Sequence, residues 1–162
     1  MTRLAESNRS CGSCTLCCTV MKVTLEAAPP KPAHTPCTHC SKKGCDIYAD
    51  RPEACEGFQC LWLGSQRVPP LALPSSLRPD RCGVVLDLNG AGTIIAHCEK
   101  PSSWKRPSIR RWLLAMAART VVMLELNGVS LLLKPTGATT PLVCIGVDPV
   151  TNNRVYAYEN AS

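Results

Sequence analysis

Cysteine is the residue with the most chemistry to offer in this chain. Twelve occur among 162 residues, and nine of them fall at or before residue 60. They open as C-x2-C-x2-C-C at Cys11, Cys14, Cys17 and Cys18, and continue at Cys37, Cys40, Cys45, Cys55 and Cys60. Thiols at this density point to disulfides, zinc or an iron–sulfur cluster. Met1 to Ser10 is polar and has no apolar leader, so the chain is expected in the cytoplasm, where structural disulfides are rare. The adjacent pair Cys17-Cys18 argues the same way, because neighbouring thiols pair poorly and invite scrambling. Metal is the favoured reading.

Two thiolates three residues apart fit two vertices of a tetrahedral zinc, each at ~2.3 Å. Cys11 and Cys14 with Cys37 and Cys40 could make one such site. Cys45, Cys55 and Cys60, with Cys17 or Cys18, could make another. Equally, Cys11, Cys14 and Cys17 at i, i+3 and i+6 can wrap three corners of a cubane, a remote cysteine taking the fourth iron. Nine thiols exceed one mononuclear site or one cubane, so two centres or one polynuclear cluster are expected. The consecutive i, i+3, i+6 spacing favours iron–sulfur, with Cys18 left for a second site beside Cys45, Cys55 or Cys60.

The spacing of the remaining residues carries a resemblance. The chain reads CGSCTLCC from Cys11, then Pro36-Cys37, Gly44-Cys45-Asp46-Ile47-Tyr48, Arg51-Pro52-Glu53-Ala54-Cys55, and a last Cys60. Residues 11–60 thereby resemble the zinc- or iron-chelating CxxCxxCC domain family. Its members include small bacterial proteins, and a similar module occurs in flagellin lysine N-methylases. The resemblance implies a ligand set of Cys11, Cys14, Cys17, Cys18, Cys37, Cys45, Cys55 and Cys60. Cys40 is not an element of the family pattern and stays outside that set. A glutamate, Glu56, follows Cys55 where the family often has arginine. Ile47, Tyr48, Phe58 and Trp62 are expected to cover the metal with apolar surface, and Arg51 to offset thiolate charge.

Around these residues the composition changes near residue 60. Residues 1–62 carry no periodic aliphatic pattern, and Pro29, Pro30, Pro32 and Pro36 make 26–37 a loop. This is expected to be an irregular lobe that metal must stabilise. Residues 63–81 form a second Pro-rich stretch, read as a connector. From 82 to 162 the pattern is α+β, a small antiparallel sheet with one principal helix. Residues 83–88 and 93–97 flank a turn and read as a hairpin. Ile109, Trp112, Leu113, Met116 and Ala117 form one apolar stripe, predicting a helix over 108–119 behind Pro107, with Arg106, Arg110, Arg111 and Arg119 outward. Asn127-Gly128 between two apolar runs predicts a type I′ hairpin. Residues 142–147 and 155–158 read as two further strands.

Several function classes are disfavoured. The net charge is +6 with cysteines counted neutral; two tetrathiolate sites on divalent ions would remove four of those charges. One Phe, three Tyr and three Trp are few for a base-stacking platform, which argues against nucleic acid. No apolar run reaches ~18 residues, so no membrane span is expected. No G-x-S-x-G, P-loop or H-E-x-x-H is found. Cys82, Cys98 and Cys144 are expected as buried free thiols, and His34 and His39 as surface residues. The expected function is a metal-binding protein with an iron–sulfur cluster or zinc, acting as a redox or protein-interaction module on a protein partner. The alternatives are an enzyme or enzyme accessory in protein modification, and a purely structural zinc protein.

Overall fold

The computed structural model describes residues 9–159. The fold is mixed α+β: a two-stranded and a six-stranded sheet with short helices. The cysteine-rich part runs α1 (Leu16–Val20), β1 (Cys40–Ser41), β2 (Gly44–Cys45), α2 (Glu53–Glu56) and α3 (Leu61–Gly64), joined by turns. After α4 (Pro79–Cys82) come β3 (Val84–Leu88), β4 (Ile94–Cys98), α5 (Pro107–Ala117), β5 (Val122–Glu125), β6 (Ser130–Leu133), β7 (Thr139–Val147) and β8 (Arg154–Tyr158). The six strands β3 to β8 lie side by side in chain order.

The two expected hairpins form as the turn chemistry dictates. β3 and β4 pair antiparallel, as do β5 and β6. Asn127 and Gly128 both have positive φ, 56° and 89°, which the type I′ turn requires. The sheet as a whole differs from the antiparallel expectation: β4 and β5 run parallel, with Ile94 opposite Val122 and His97 opposite Glu125. Residues 99–121 cross one face of the sheet through α5, so the chain re-enters in the same direction. Local periodicity marks each hairpin but carries no signal for how two hairpins join.

α5 covers the helix-side face. Ile109 and Leu113, both fully buried, seat on Val84, Leu86, Ile94, Ala96, Val122 and Leu124. Pro107 occupies its first turn and Arg106, Arg110, Arg111 and Arg119 are exposed, as expected. The Pro-rich stretch 63–81 contributes to this core. Its short 3₁₀ turns bury Leu73 and Leu77 beside Trp62. Pro fixes the turns while the leucines between them supply the apolar contact.

The opposite face is covered at one end by α1, whose Leu16 and Val20 pack on the fully buried Val85. Beyond α1 a groove of about 780 Å³ crosses Asp87, Ile95, His97 and Met123 toward β8. The His97 side chain is 17% exposed, and its Nε2 lies 4.0 Å from Asp87 Oδ2. Burial, with the fields of His34 and Arg154 behind it, pushes the His97 pKa down to about 4. An unfolded histidine titrates near 6.5. The unfolded chain therefore takes up a proton that the folded protein refuses. This stability is whole above pH ~6.5 and falls as pH drops toward ~4, by on the order of 3 kcal/mol. Asp87, its pKa raised by burial, works in the opposite sense. Urea midpoints measured between pH 7 and pH 4 should fall steeply in the native protein and less in a His97→Gln variant. Parallel curves would show that His97 does not set the slope.

Candidate metal centre

Both C-x2-C pairs are shaped by the backbone. The Cys14 N–H donates to the Cys11 carbonyl at 2.8 Å, and the Cys40 N–H to the Cys37 carbonyl at 3.1 Å. Each turn brings two thiols to one side of a tight loop. α1 then carries Cys17 and Cys18 on consecutive helical positions, which point about 100° apart. Their Sγ atoms lie 3.9 Å apart, yet they face different company. Cys17 packs beside Cys14, Cys60 and Phe58 on the Leu16, Val20 and Val85 cluster. Cys18 turns toward Cys40.

The first group is Cys11, Cys14 and Cys60, with Cys17 on its edge. Cys60 sits at the start of α3. Its pKa is raised by burial first and further by the neighbouring Cys11 and Cys14. Burial also raises Cys14, opposed by the backbone N–H groups of Leu16 and Asp80. The Arg78 guanidinium clamps this loop. Nη2 donates to the Cys11 carbonyl and to Ser13 Oγ, each at 3.2 Å, and Asp80 Oδ1 stands 3.1 Å from Nε.

The second group is Cys18, Cys37, Cys40 and Cys55, with Cys45 beside it. The Pro-rich loop is folded back by two hydrogen bonds between Val23 and Lys31, at 3.0 and 2.8 Å. That return lets the Cys37 N–H donate to the Cys18 carbonyl at 3.1 Å. Cys40 stands opposite Cys45 across β1 and β2. Cys18 is driven far above the ordinary thiol range by its hydrogen bond with Cys17, then by burial and the Cys17 charge. Cys40 is pushed up to about 12 by burial first, then by Cys18 and Cys37. Cys55 is raised by burial and by Cys18, Cys37 and Cys45, with Arg51 opposing. Lys31 reaches over this group. Its ammonium donates to the carbonyls of Thr19, Pro32 and Thr35 at 3.3, 2.8 and 2.7 Å, and feels Cys37, Cys18 and Cys40.

The two groups interlock at one point. Gly44, buried at φ +124°, lies against Gly12, between Cys11 and Cys14; a Cβ there would overlap the Gly12 carbonyl oxygen. So the β1–β2 hairpin, which carries Cys40 and Cys45, rests on the loop that carries Cys11 and Cys14.

All twelve cysteines are free thiols. The eight expected ligands fall in these two groups, and Cys40 stands among them as a ninth. Cys82 and Cys98 are buried, as expected, and donate to backbone carbonyls. Cys144 is exposed, contrary to the buried position expected of it; it lies in β7, in the outermost hairpin of the sheet. His39 is exposed and His34 half-buried. Of the covering residues, Trp62 is buried, Phe58 and Ile47 are half-buried, and Tyr48 is 40% exposed under the Arg51 guanidinium, 3.8 Å from its ring centre. Lys31 and Arg78 carry no sequence signal for their positions; Cys40 had one, its C-x2-C spacing from Cys37. Among the described residues no three His, Cys, Asp or Glu side chains stand arranged to hold a metal ion. The thiols are gathered, not closed on a common point. No family model, curated protein or solved structure matches this chain.

Proposed function

We propose that this protein binds metal through its clustered cysteines, at two neighbouring centres, and acts as a redox or protein-interaction module. One observation carries the reading: nine free thiols, brought by backbone turns into two groups and flanked by the cations Lys31 and Arg78. Cys18, Cys40, Cys55 and Cys60 are held against ionising in part by neighbouring thiols, and a bound cation would invert that field. The donor set is all sulfur, the kind that suits zinc and iron–sulfur clusters. Cys11, Cys14 and Cys60, with Cys17 adjacent, would hold the first centre. Cys18, Cys37, Cys40 and Cys55, with Cys45 adjacent, would hold the second. The resemblance of residues 11–60 to the CxxCxxCC family adds to this reading.

An iron–sulfur cluster would supply one-electron transfer, and zinc a fixed scaffold without redox chemistry. We favour iron–sulfur at the first centre, because Cys11, Cys14 and Cys17 suit three corners of one cubane. Lys31 and Arg78 would then hold positive charge against the anionic centres, and the apolar shell of Leu16, Val20 and Phe58 would limit water. Anaerobic purification followed by metal analysis and a visible spectrum tests the proposal. A brown sample with broad absorbance near ~400 nm is the expected result. Cys14→Ser should lose that absorbance, whereas Cys37→Ser should lose metal from the second centre. A colourless protein with stoichiometric zinc would transfer the reading to zinc. A folded protein carrying neither iron nor zinc would overturn it.

A further inference from the structure

The two edges of the six-stranded sheet are treated differently. At one edge β3 is packed by α1, α3 and α4. At the other, no strand among the described residues lies beyond β8. Natural edge strands are blunted by charged side chains, proline or a bulge on the edge itself. β8, reading Arg-Val-Tyr-Ala-Tyr, carries one charge, at its first residue, and no proline or bulge of its own; the register shift between Cys144 and Gly146 lies on β7. The hairpin is also apolar where it meets solvent: Val143 is 45% exposed, Ile145 66%, Val155 40% and Tyr158 63%. Val143 and Val155 lie on one face and Tyr158 on the other, so apolar side chains are exposed on both sides of a bare strand edge, where they mark an interaction surface.

The hydrogen-bond ladder shows what the edge offers. Glu159 N–H donates to the Pro141 carbonyl, and Leu142 faces Tyr158. Hydrogen-bonded and non-bonded pairs alternate along an antiparallel ladder. Residues 155, 157 and 159 therefore bond inward to β7. Arg154, Tyr156 and Tyr158 direct their N–H and C=O groups out of the sheet.

We infer that β8 pairs with β8 of a second copy of this chain, antiparallel about a two-fold axis at Tyr156. A two-fold pairing must match outward-facing residues to outward-facing residues, and of the registers that do so the one centred on Tyr156, the midpoint of β8, pairs the whole strand. Tyr156 meets its own copy on the axis. Arg154 meets Tyr158 of the second copy on each side, setting a guanidinium against an aromatic ring. Val155 meets Ala157 on the other face, and Asn153 meets Glu159. No like charges stand opposite one another. The Arg154–Tyr158 match and the absence of like charges opposite one another make this edge compatible with itself over its full length, which is the ground for taking a second copy as the partner. The two sheets join into one, and the inference does not depend on any metal.

Sedimentation analysis across a concentration series, with the full chain, tests it. The native protein should show a concentration-dependent mass of two chains. Tyr156→Asp and Tyr156→Lys each place like charges on the axis, and each should weaken the dimer by at least about tenfold. Mixing the two variants should restore a heterodimer, which separates a true axial pair from misfolding. In the native protein, amide exchange at Arg154, Tyr156 and Tyr158 should slow on concentration, whereas exchange at Ala157 should not change. A native chain that is monomeric throughout, single variants that dimerise as native, or edge amides indifferent to concentration would each overturn the inference.

Discussion

Stripping the proposed metal from the anaerobic, reduced protein should erase amide protection throughout the cysteine-rich part while leaving the sheet in place. Hydrogen exchange with and without a strong chelator reads this directly. The amides of Cys14, Lys31, Cys37 and Cys40, all hydrogen-bonded to backbone carbonyls within this part, should lose protection by at least about a thousandfold, given apparent zinc-site free energies of ~10–16 kcal/mol in small domains. Those of Ile94–Cys98 and Val122–Glu125 should hold. The contrast follows from where the apolar contacts lie: ahead of α3 the lobe is anchored on the sheet chiefly by Leu16 and Val20 on Val85, and only at α3 does Trp62 join the main core. The sheet has its own core under α5. Equal protection of the lobe in both states would show that it folds without metal and would remove the stabilising role proposed for it.

Gly44→Ala should be the most damaging substitution that touches no thiol. At φ +124° an L side chain is strained, and its Cβ would overlap the Gly12 carbonyl oxygen. Both partners are backbone, so neither can move as a side-chain tip would. We expect a loss of about 2–4 kcal/mol, and reduced metal content at both centres, because the hairpin holding Cys40 and Cys45 would lift off the Cys11–Cys14 loop. Gly90→Ala is the matched control: nothing lies within 4 Å of its site. Urea unfolding and metal content of the two variants side by side make the measurement. If Gly44→Ala matches Gly90→Ala in both, the interlock has no energetic weight.

What was legible in the sequence was what short-range chemistry determines. Asn127-Gly128 announced its turn because few residues accept positive φ twice in succession. The stripe from Ile109 to Ala117 announced α5 because a helix must bury one face. The direction of β5 against β4 was not legible, since it depends on the path of residues 99–121 over the sheet. Leu73 and Leu77 were hidden by prolines that suggest a connector, although proline-fixed turns can carry core leucines. In the cysteine-rich part, spacing gave the turns, but the division of the thiols into two groups depends on the Val23–Lys31 return and on the 100° step between Cys17 and Cys18. Neither is a pattern in composition. The exposure of Cys144 was not legible either, since strand periodicity does not tell whether a strand lies at the centre of a sheet or in its outermost hairpin.

The seating of Leu16 and Val20 on Val85 also sets an order of events during synthesis. The last thiol of the two groups is Cys60, and the strand they rest against is 25 residues further on (85 − 60). At ~5–20 residues per second, roughly one to five seconds separate the appearance of the full thiol set from that of its support. In that interval nine cysteines are extruded with no sheet to shelter them. A metal captured then would pre-fold the lobe and spare its thiols from oxidation. The same ion arriving late would meet cysteines already paired wrongly. Metal supply at the ribosome, rather than the stability of the finished sheet, would then limit the yield of intact protein.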